Sequence, residues 1–132
     1  MDVDKIISLL LVEDEALVLL ATQDTLESGG YSVITASSGE EALEILKRGT
    51  REIAAVITDV RLGPGPDGWE LARRARELEP GLAVIYTTGD GAAEWPALGV
   101  SGSVLIAKPY GPPQVLAAVR ALLPRAGGSL AA

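Results

Sequence analysis

Apolar and polar positions alternate along this chain in blocks of two kinds. Ile6–Val12 is a near-continuous apolar run, as expected for a strand covered on both faces of a parallel sheet. Glu15–Ser28 reads as a helix with Leu17, Leu20, Ala21 and Leu26 on its inner face, ended by Gly29 and Gly30. Ser32–Ala36 is a second short strand, and Ser38 with Glu41 forms an S-x-x-E capping box for a helix through Arg48. Ala54–Thr58 is the third strand. Asp67 or Gly68 opens a helix to Glu79, with Leu71, Ala72, Ala75 and Leu78 at helical spacing. Ala83–Thr87 and Ser103–Ala107 read as the fourth and fifth strands, with a short, Pro-interrupted helix around Ala92–Leu98 between them. Pro112 and Pro113 suit the first turn of a last helix, striped by Val115, Leu116, Val119, Leu122 and Leu123.

Five strands alternating with five helices imply an α/β fold, a parallel sheet covered on both faces. Right-handed crossovers leave few topologies for it. With 132 residues the chain accommodates one domain, expected over 5–124, with a frayed tail at 125–132. Hydrophobic residues make up 48% of it, enough for a packed core; with aromatics at 4% and no Phe, Leu, Val, Ile and Ala must fill that core.

Charge and composition remove several function classes. The formal net charge of -7 argues against a surface that tracks a phosphate backbone. Arg73, Arg74 and Arg76 are expected to be a solvated helix face. The chain has no Cys and no His, so thiolate and imidazole metal sites, cysteine nucleophiles and serine–histidine triads are excluded. The apolar run at Ile6–Val12 is too short to span a membrane, and acids flank it where a signal peptide would carry positive charge. A soluble cytoplasmic protein that binds neither nucleic acid nor membrane is the expectation.

In open parallel sheets, ligands bind beyond the carboxyl ends of the strands. The first strand ends in Glu13, Asp14 and Glu15, the third in Asp59, the fourth in Thr87 and Thr88, and the fifth in Lys108 and Pro109. Crowded carboxylates repel, and a divalent cation relieves that repulsion. Mg²⁺ takes hard oxygen ligands and commonly combines one or two carboxylates with phosphate oxygens. Asp14 and Asp59 are candidates for those carboxylates, with Glu13 bound directly or through a water. A carboxylate is also a competent nucleophile in phosphoryl transfer, where Lys108 and a Thr hydroxyl could pair with phosphoryl oxygens.

Glu13-Asp14, Asp59, Thr88 and Lys108-Pro109, in this order at successive strand ends, resemble the acidic pair, phosphoacceptor, switch hydroxyl and Lys-Pro of response-regulator receiver domains. The segment ASSGEEALEIL is similar to the family's second helix. The resemblance runs from about Ile7 to Leu123. It implies a flavodoxin-like (βα)5 sheet of order 2-1-3-4-5, and an aspartyl-phosphate formed on Asp59 with Mg²⁺ or Mn²⁺ bound. The donor it implies is a histidine kinase or histidine phosphotransfer protein. It also implies a metal contact from the backbone carbonyl of Arg61, two residues past the phosphoacceptor. Of the two threonines, Thr88 takes the switch position because Gly89 follows it. Family members often pair through the fourth helix, fifth strand and fifth helix, so a homodimer is compatible with the resemblance. After Leu123 only nine residues remain, so the expectation is a stand-alone regulator whose output is binding of an unidentified downstream protein, a phosphorelay step or service as a phosphate sink, and the sequence does not choose among these.

Two departures stand out. The loop from Asp59 to Gly68 is one residue longer than the family's D-x-x-x-P-x-x-D-G and rich in Gly and Pro. The aromatic that often stands three residues before the conserved Lys is Leu105 here, which shifts the expected switch coupling to Thr88 and the loop to Trp95.

Three other readings compete. Gly63, Gly65 and Gly68 match G-x-G-x-x-G, but Pro64 and Pro66 lack the N–H groups a pyrophosphate needs, and Asp67 adds the wrong charge. A pseudo-receiver, a docking module that takes no phosphate, is opposed by the intact acidic pair, Asp59, Thr88 and Lys108. A phosphatase working on external substrates is opposed by Arg61, which stands where the second Asp of D-x-D would be.

Overall fold

The computed structural model describes residues 6–123. The bounds 5 and 124 and the tail 125–132 expected from the sequence lie outside the described residues. Five strands, β1 (Ser8–Val12), β2 (Ser32–Ala36), β3 (Ile53–Asp59), β4 (Ala83–Thr88) and β5 (Val104–Ala107), form one sheet in the order 2-1-3-4-5. Every neighbouring pair is parallel. The helices are α1 (Ala16–Ser28), α2 (Gly39–Arg48), α3 (Gly68–Leu78), α4 (Trp95–Leu98) and α5 (Pro112–Leu122), with a 3₁₀ turn at Ala92–Glu94 leading into α4. The chain thus has the fold expected of it. Strand ends differ from the sequence reading by one or two residues.

The alternation of side chains along a strand divides the core. Leu10 and Val12 of β1 and Val56 of β3 face one way, packing with Leu43 of α2 and Leu71 and Ala75 of α3. Leu9 and Leu11, with Ala55, Ile57 and Ile85, face the other way against Leu26 of α1 and Val115 and Val119 of α5. Both faces of β1 and β3 are therefore apolar, and acidic residues follow β1 at Glu13 and end β3 at Asp59.

Local chemistry sets the helix starts. Ser38 caps α2 by accepting from Glu41 N at 3.1 Å, while Glu41 Oε1 accepts from Ser37 N at 2.9 Å, one residue earlier than in a standard capping box. Asp67 caps α3, its Oδ1 accepting from Glu70 N at 2.9 Å. Gly68, next in line, lies so close to the end of β3 that an added Cβ would stand 2.3 Å from the Asp59 carbonyl oxygen.

The inner face of α1 differs from the reading. Leu17 and Leu20 are 82% and 57% exposed, and Ala21 is exposed too. Leu26 is buried as expected, and Thr22 is buried with it, with Leu19 packed beside them. Every residue from Ala16 to Ala21 is apolar, so the pattern offers no contrast by which to choose a face. Leu78 of α3 was also expected inside, yet it is exposed at the last turn.

Candidate functional site

Four strand ends meet at the top of the sheet. Glu13 follows β1 and is almost fully buried, although it is a carboxylate. Its Oε2 accepts from Glu15 N at 3.1 Å, a local turn that fixes its direction. Asp59 ends β3 and is also buried. Lys108, just past β5, reaches back across the sheet, its Nζ 2.9 Å from Asp59 Oδ2 and 3.4 Å from Glu13 Oε1. Asp14 remains exposed, but Glu13, Asp14 and Asp59 each place a carboxylate oxygen within 4.8 Å of the others.

Electrostatics match this crowding. Burial pushes the Glu13 carboxyl above its ordinary value and the neighbouring charge of Asp59 adds to that, against the Glu15 N–H and Lys108, which favour the anion. Burial alone would pull the Lys108 ammonium down, but its hydrogen bond to Asp59 and the charges of Asp59 and Glu13 outweigh that and hold it above the ordinary range. Three carboxylates served by one ammonium make an electron-rich, hard-oxygen pocket, which is the donor set a small divalent cation takes.

Thr88 ends β4, fully buried. Its Oγ1 accepts from Gly91 N at 2.7 Å and from Asp90 N at 3.3 Å, tying the hydroxyl to the loop after β4. The hydroxyl hydrogen is then the donor Thr88 can offer a further oxygen. Arg61 contributes a backbone N–H 3.4 Å from Asp59 Oδ1.

Sequence reasoning missed where the Arg61 side chain goes. Its Nε donates to Asp90 Oδ1 at 2.8 Å, joining the loop after β3 to the loop after β4. The contact holds the Asp90 carboxyl below its ordinary value. It joins residues 29 apart in the chain, and no local pattern signals it. Also missed was Tyr110, whose OH lies 3.4 Å from Thr22 Oγ1 and so links α1 to the segment after Lys108.

The Gly/Pro-rich loop keeps its extra residue on the outside. Leu62 is buried in the core beside Val12, while Gly63 and Gly65 take positive φ values of 79° and 91°. Pro66 packs against the start of α2, where its carbonyl oxygen would stand 2.6 Å from any Cβ at Gly39. The loop is thus anchored on both sides of its glycines. Trp69 packs at the start of α3, its ring 4.6 Å from that of Tyr86. The Trp95 indole donates to Ser103 Oγ at 3.0 Å, and Leu105 packs into the same cluster.

The family model described as response regulator receiver domain matches residues 9–120. The chain belongs to this family. A receiver protein from Sinorhizobium medicae is 41% identical, with a TM-score of 0.85 over 89% of this chain and 94% of that one. The alkaline phosphatase synthesis transcriptional regulatory protein PhoP of Bacillus subtilis is 34% identical over 89% of this chain and 48% of PhoP. The response regulator TrrA of Thermotoga maritima, solved in complex with Mg²⁺–BeF, is 26% identical, with a TM-score of 0.78 over 89% of this chain and all of that one. This receiver domain spans about half the length of PhoP and 9% of the sensor kinase CckA of Brucella abortus, another relative. None of its described helices is long and apolar enough to cross a membrane.

Proposed function

We propose that this receiver domain takes a phosphoryl group onto Asp59 from a phosphohistidine of a histidine kinase or phosphotransfer protein, and signals by phosphorylation-controlled binding of a partner. The observation that carries the reading is the placement of Lys108 Nζ 2.9 Å from a buried Asp59 that has Glu13 and Asp14 beside it.

In this reading a carboxylate oxygen of Asp59 attacks phosphorus as the P–N bond of the donor breaks. The bonding pair leaves with the donor imidazole, and an acyl phosphate forms. Lys108, already charged and oriented, pairs with one phosphoryl oxygen. Thr88 donates its hydroxyl hydrogen to another. Glu13, Asp14, Asp59 and the Arg61 carbonyl are the groups that would hold Mg²⁺ or Mn²⁺. When bound, the cation offsets the repulsion between these carboxylates and the incoming phosphoryl oxygens. Glu15 N–H and Lys108 favour the anionic form of the buried Glu13, against the upward push of its burial.

The donor must approach over a surface that adjoins Asp59. A groove of about 510 Å³ lined by Leu17, Val18, Ala21, Tyr110 and Pro112 also includes Lys108. The apolar outer face of α1 forms one side of it, and this is where we place the donor protein.

The test is intact mass after incubation with Mg²⁺ and acetyl phosphate. A single phosphoryl adduct is expected on the wild type, absent in Asp59→Ala and absent with chelator. An unmodified wild type under these conditions would transfer the chain to the pseudo-receiver reading.

A further inference from the structure

A second groove opens on the other side of the site, between the Gly/Pro-rich loop and the short helix α4. It measures about 520 Å³ and is lined by Leu62, Gly63, Asp67, Trp69, Glu94 and Leu98, with Arg61 at its margin. It exists because α4 has only four residues, and neither α4 nor the 3₁₀ turn before it buries any of them. Leu98 is left 49% exposed. Gly63, without a Cβ and at φ 79°, keeps the opposite wall low.

The polar groups around this apolar lining are unequal in sign. Asp67 and Glu94 are acidic, and the one cation lining it, Arg61, is paired with Asp90. That ion pair also connects the two walls, since Arg61 belongs to the loop after β3 and Asp90 to the loop that leads into α4. Arg61 feels the charges of Asp90, Glu94 and Asp59 together. A phosphoryl group brings a charge of about −1.5 to −2 at neutral pH. Placed on Asp59, it competes with Asp90 for the guanidinium. Released, Asp90 adds a third carboxylate to the groove.

We propose that this groove is the output surface of the domain, and that it binds an extended segment of a partner protein carrying an apolar side chain next to a Lys or Arg. Apolar contact with the exposed Leu98, over a floor made by the buried Leu62 and Trp69, supplies affinity, and the acidic margin selects the basic neighbour. Phosphorylation strengthens binding by drawing Arg61 away from Asp90. This last step rests on Asp59 being the phosphoacceptor; the groove and its preference for a basic segment do not.

The experiment uses the isotopically labelled full chain and two synthetic peptides, acetyl-Leu-Pro-Leu-Arg-amide and its counterpart ending in Glu. Backbone and indole NMR shifts are followed with and without Mg²⁺ and acetyl phosphate, and each sample is checked by intact mass. The expected result is saturable shifting of Leu62, Gly63, Leu98 and the Trp69 indole by the Arg peptide. Its Kd should fall at least threefold once the adduct has formed. Glu94→Lys should raise that Kd at least tenfold with the adduct retained. Equal binding of both peptides, shifts confined to the α1 groove, or occlusion of these residues by self-association would each overturn the docking site. An adduct that forms without changing the Kd would overturn the coupling through Arg61 and leave the phosphoacceptor reading intact. A missing adduct alongside selective peptide binding would overturn the phosphoacceptor reading and the coupling with it, and leave the docking site standing.

Discussion

The ammonium of Lys108 lies between two buried carboxylates, 2.9 Å from Asp59 and 3.4 Å from Glu13. It is the cation that faces both of them inside the fold. Removing it as Lys108→Ala leaves the acids uncompensated, a change that costs up to about 3 kcal/mol for a pair that keeps some contact with water. Mg²⁺ should recover most of that loss, because a divalent ion then enters without competing with an ammonium. Thermal unfolding in chelator and in excess Mg²⁺ measures both effects. A variant equally stable in the two conditions would count against a cation site at these carboxylates.

The exposed face of α1 is expected to matter for transfer and not for folding. Leu17 is 82% exposed, so Leu17→Glu should change stability by no more than about 0.5 kcal/mol. Labelling by acetyl phosphate, which needs no docking surface, should be unaffected. Transfer from a cognate kinase should fall at least tenfold. Loss of both activities together would move Leu17 from docking to the site itself.

Tyr86 has the raised pKa expected of a buried phenol, and its OH accepts from Val100 N at 3.1 Å. A raised folded-state value means the native state keeps its proton while the unfolded state gives it up. The stability from this group is therefore present below pH 10 and declines as pH rises from there toward the folded pKa. Tyr86→Phe removes that dependence, and it also leaves Val100 N–H without its partner at a cost of about 1–3 kcal/mol. Urea unfolding between pH 8 and about 10.5 separates the two. The variant should start lower and slope less.

Gly68 is required by contact, not by backbone angle. Its neighbours, the Asp59 carbonyl oxygen and Val60 Cα, stand 2.3 and 2.8 Å from where a Cβ would go. Neither is the free end of a side chain that could move aside. Gly68→Ala should cost about 1–3 kcal/mol and shift the end of β3, slowing adduct formation on Asp59. Gly65→Ser, where nothing lies within 4 Å, serves as a comparison that adds strain at positive φ without crowding the strand. A Gly68→Ala protein with wild-type melting and labelling rates would contradict the close approach.

How far the sequence could be read depended on contrast. The strands were visible because each is an apolar block bounded by turn residues. The site was visible because acids, hydroxyl and lysine stand out at the ends of those blocks. Inside Ala16–Ala21 contrast is absent, and there the choice of face failed. Glu13 was legible as the first acid of the Glu13-Asp14 pair, but not its burial, which comes from the sheet and from Lys108, 95 residues away. The Arg61–Asp90 pair and the Thr22–Tyr110 contact are likewise products of topology. Nothing in the residues around either partner announces them.

The site draws one group or more from each of four strands, β1, β3, β4 and β5, and the unfolded chain has no equivalent of it. Any ligand held there is bound by the native state alone, and mass action then adds its binding energy to folding. At a ligand concentration one hundred times its Kd this amounts to about 2.7 kcal/mol. The ends of these strands, free of covalent crosslinks, would then be fastened by whatever divalent ion or phosphoryl group occupies them. Occupancy of the site would raise the resistance of the whole sheet to unfolding, including β2, which lends the site no side chain.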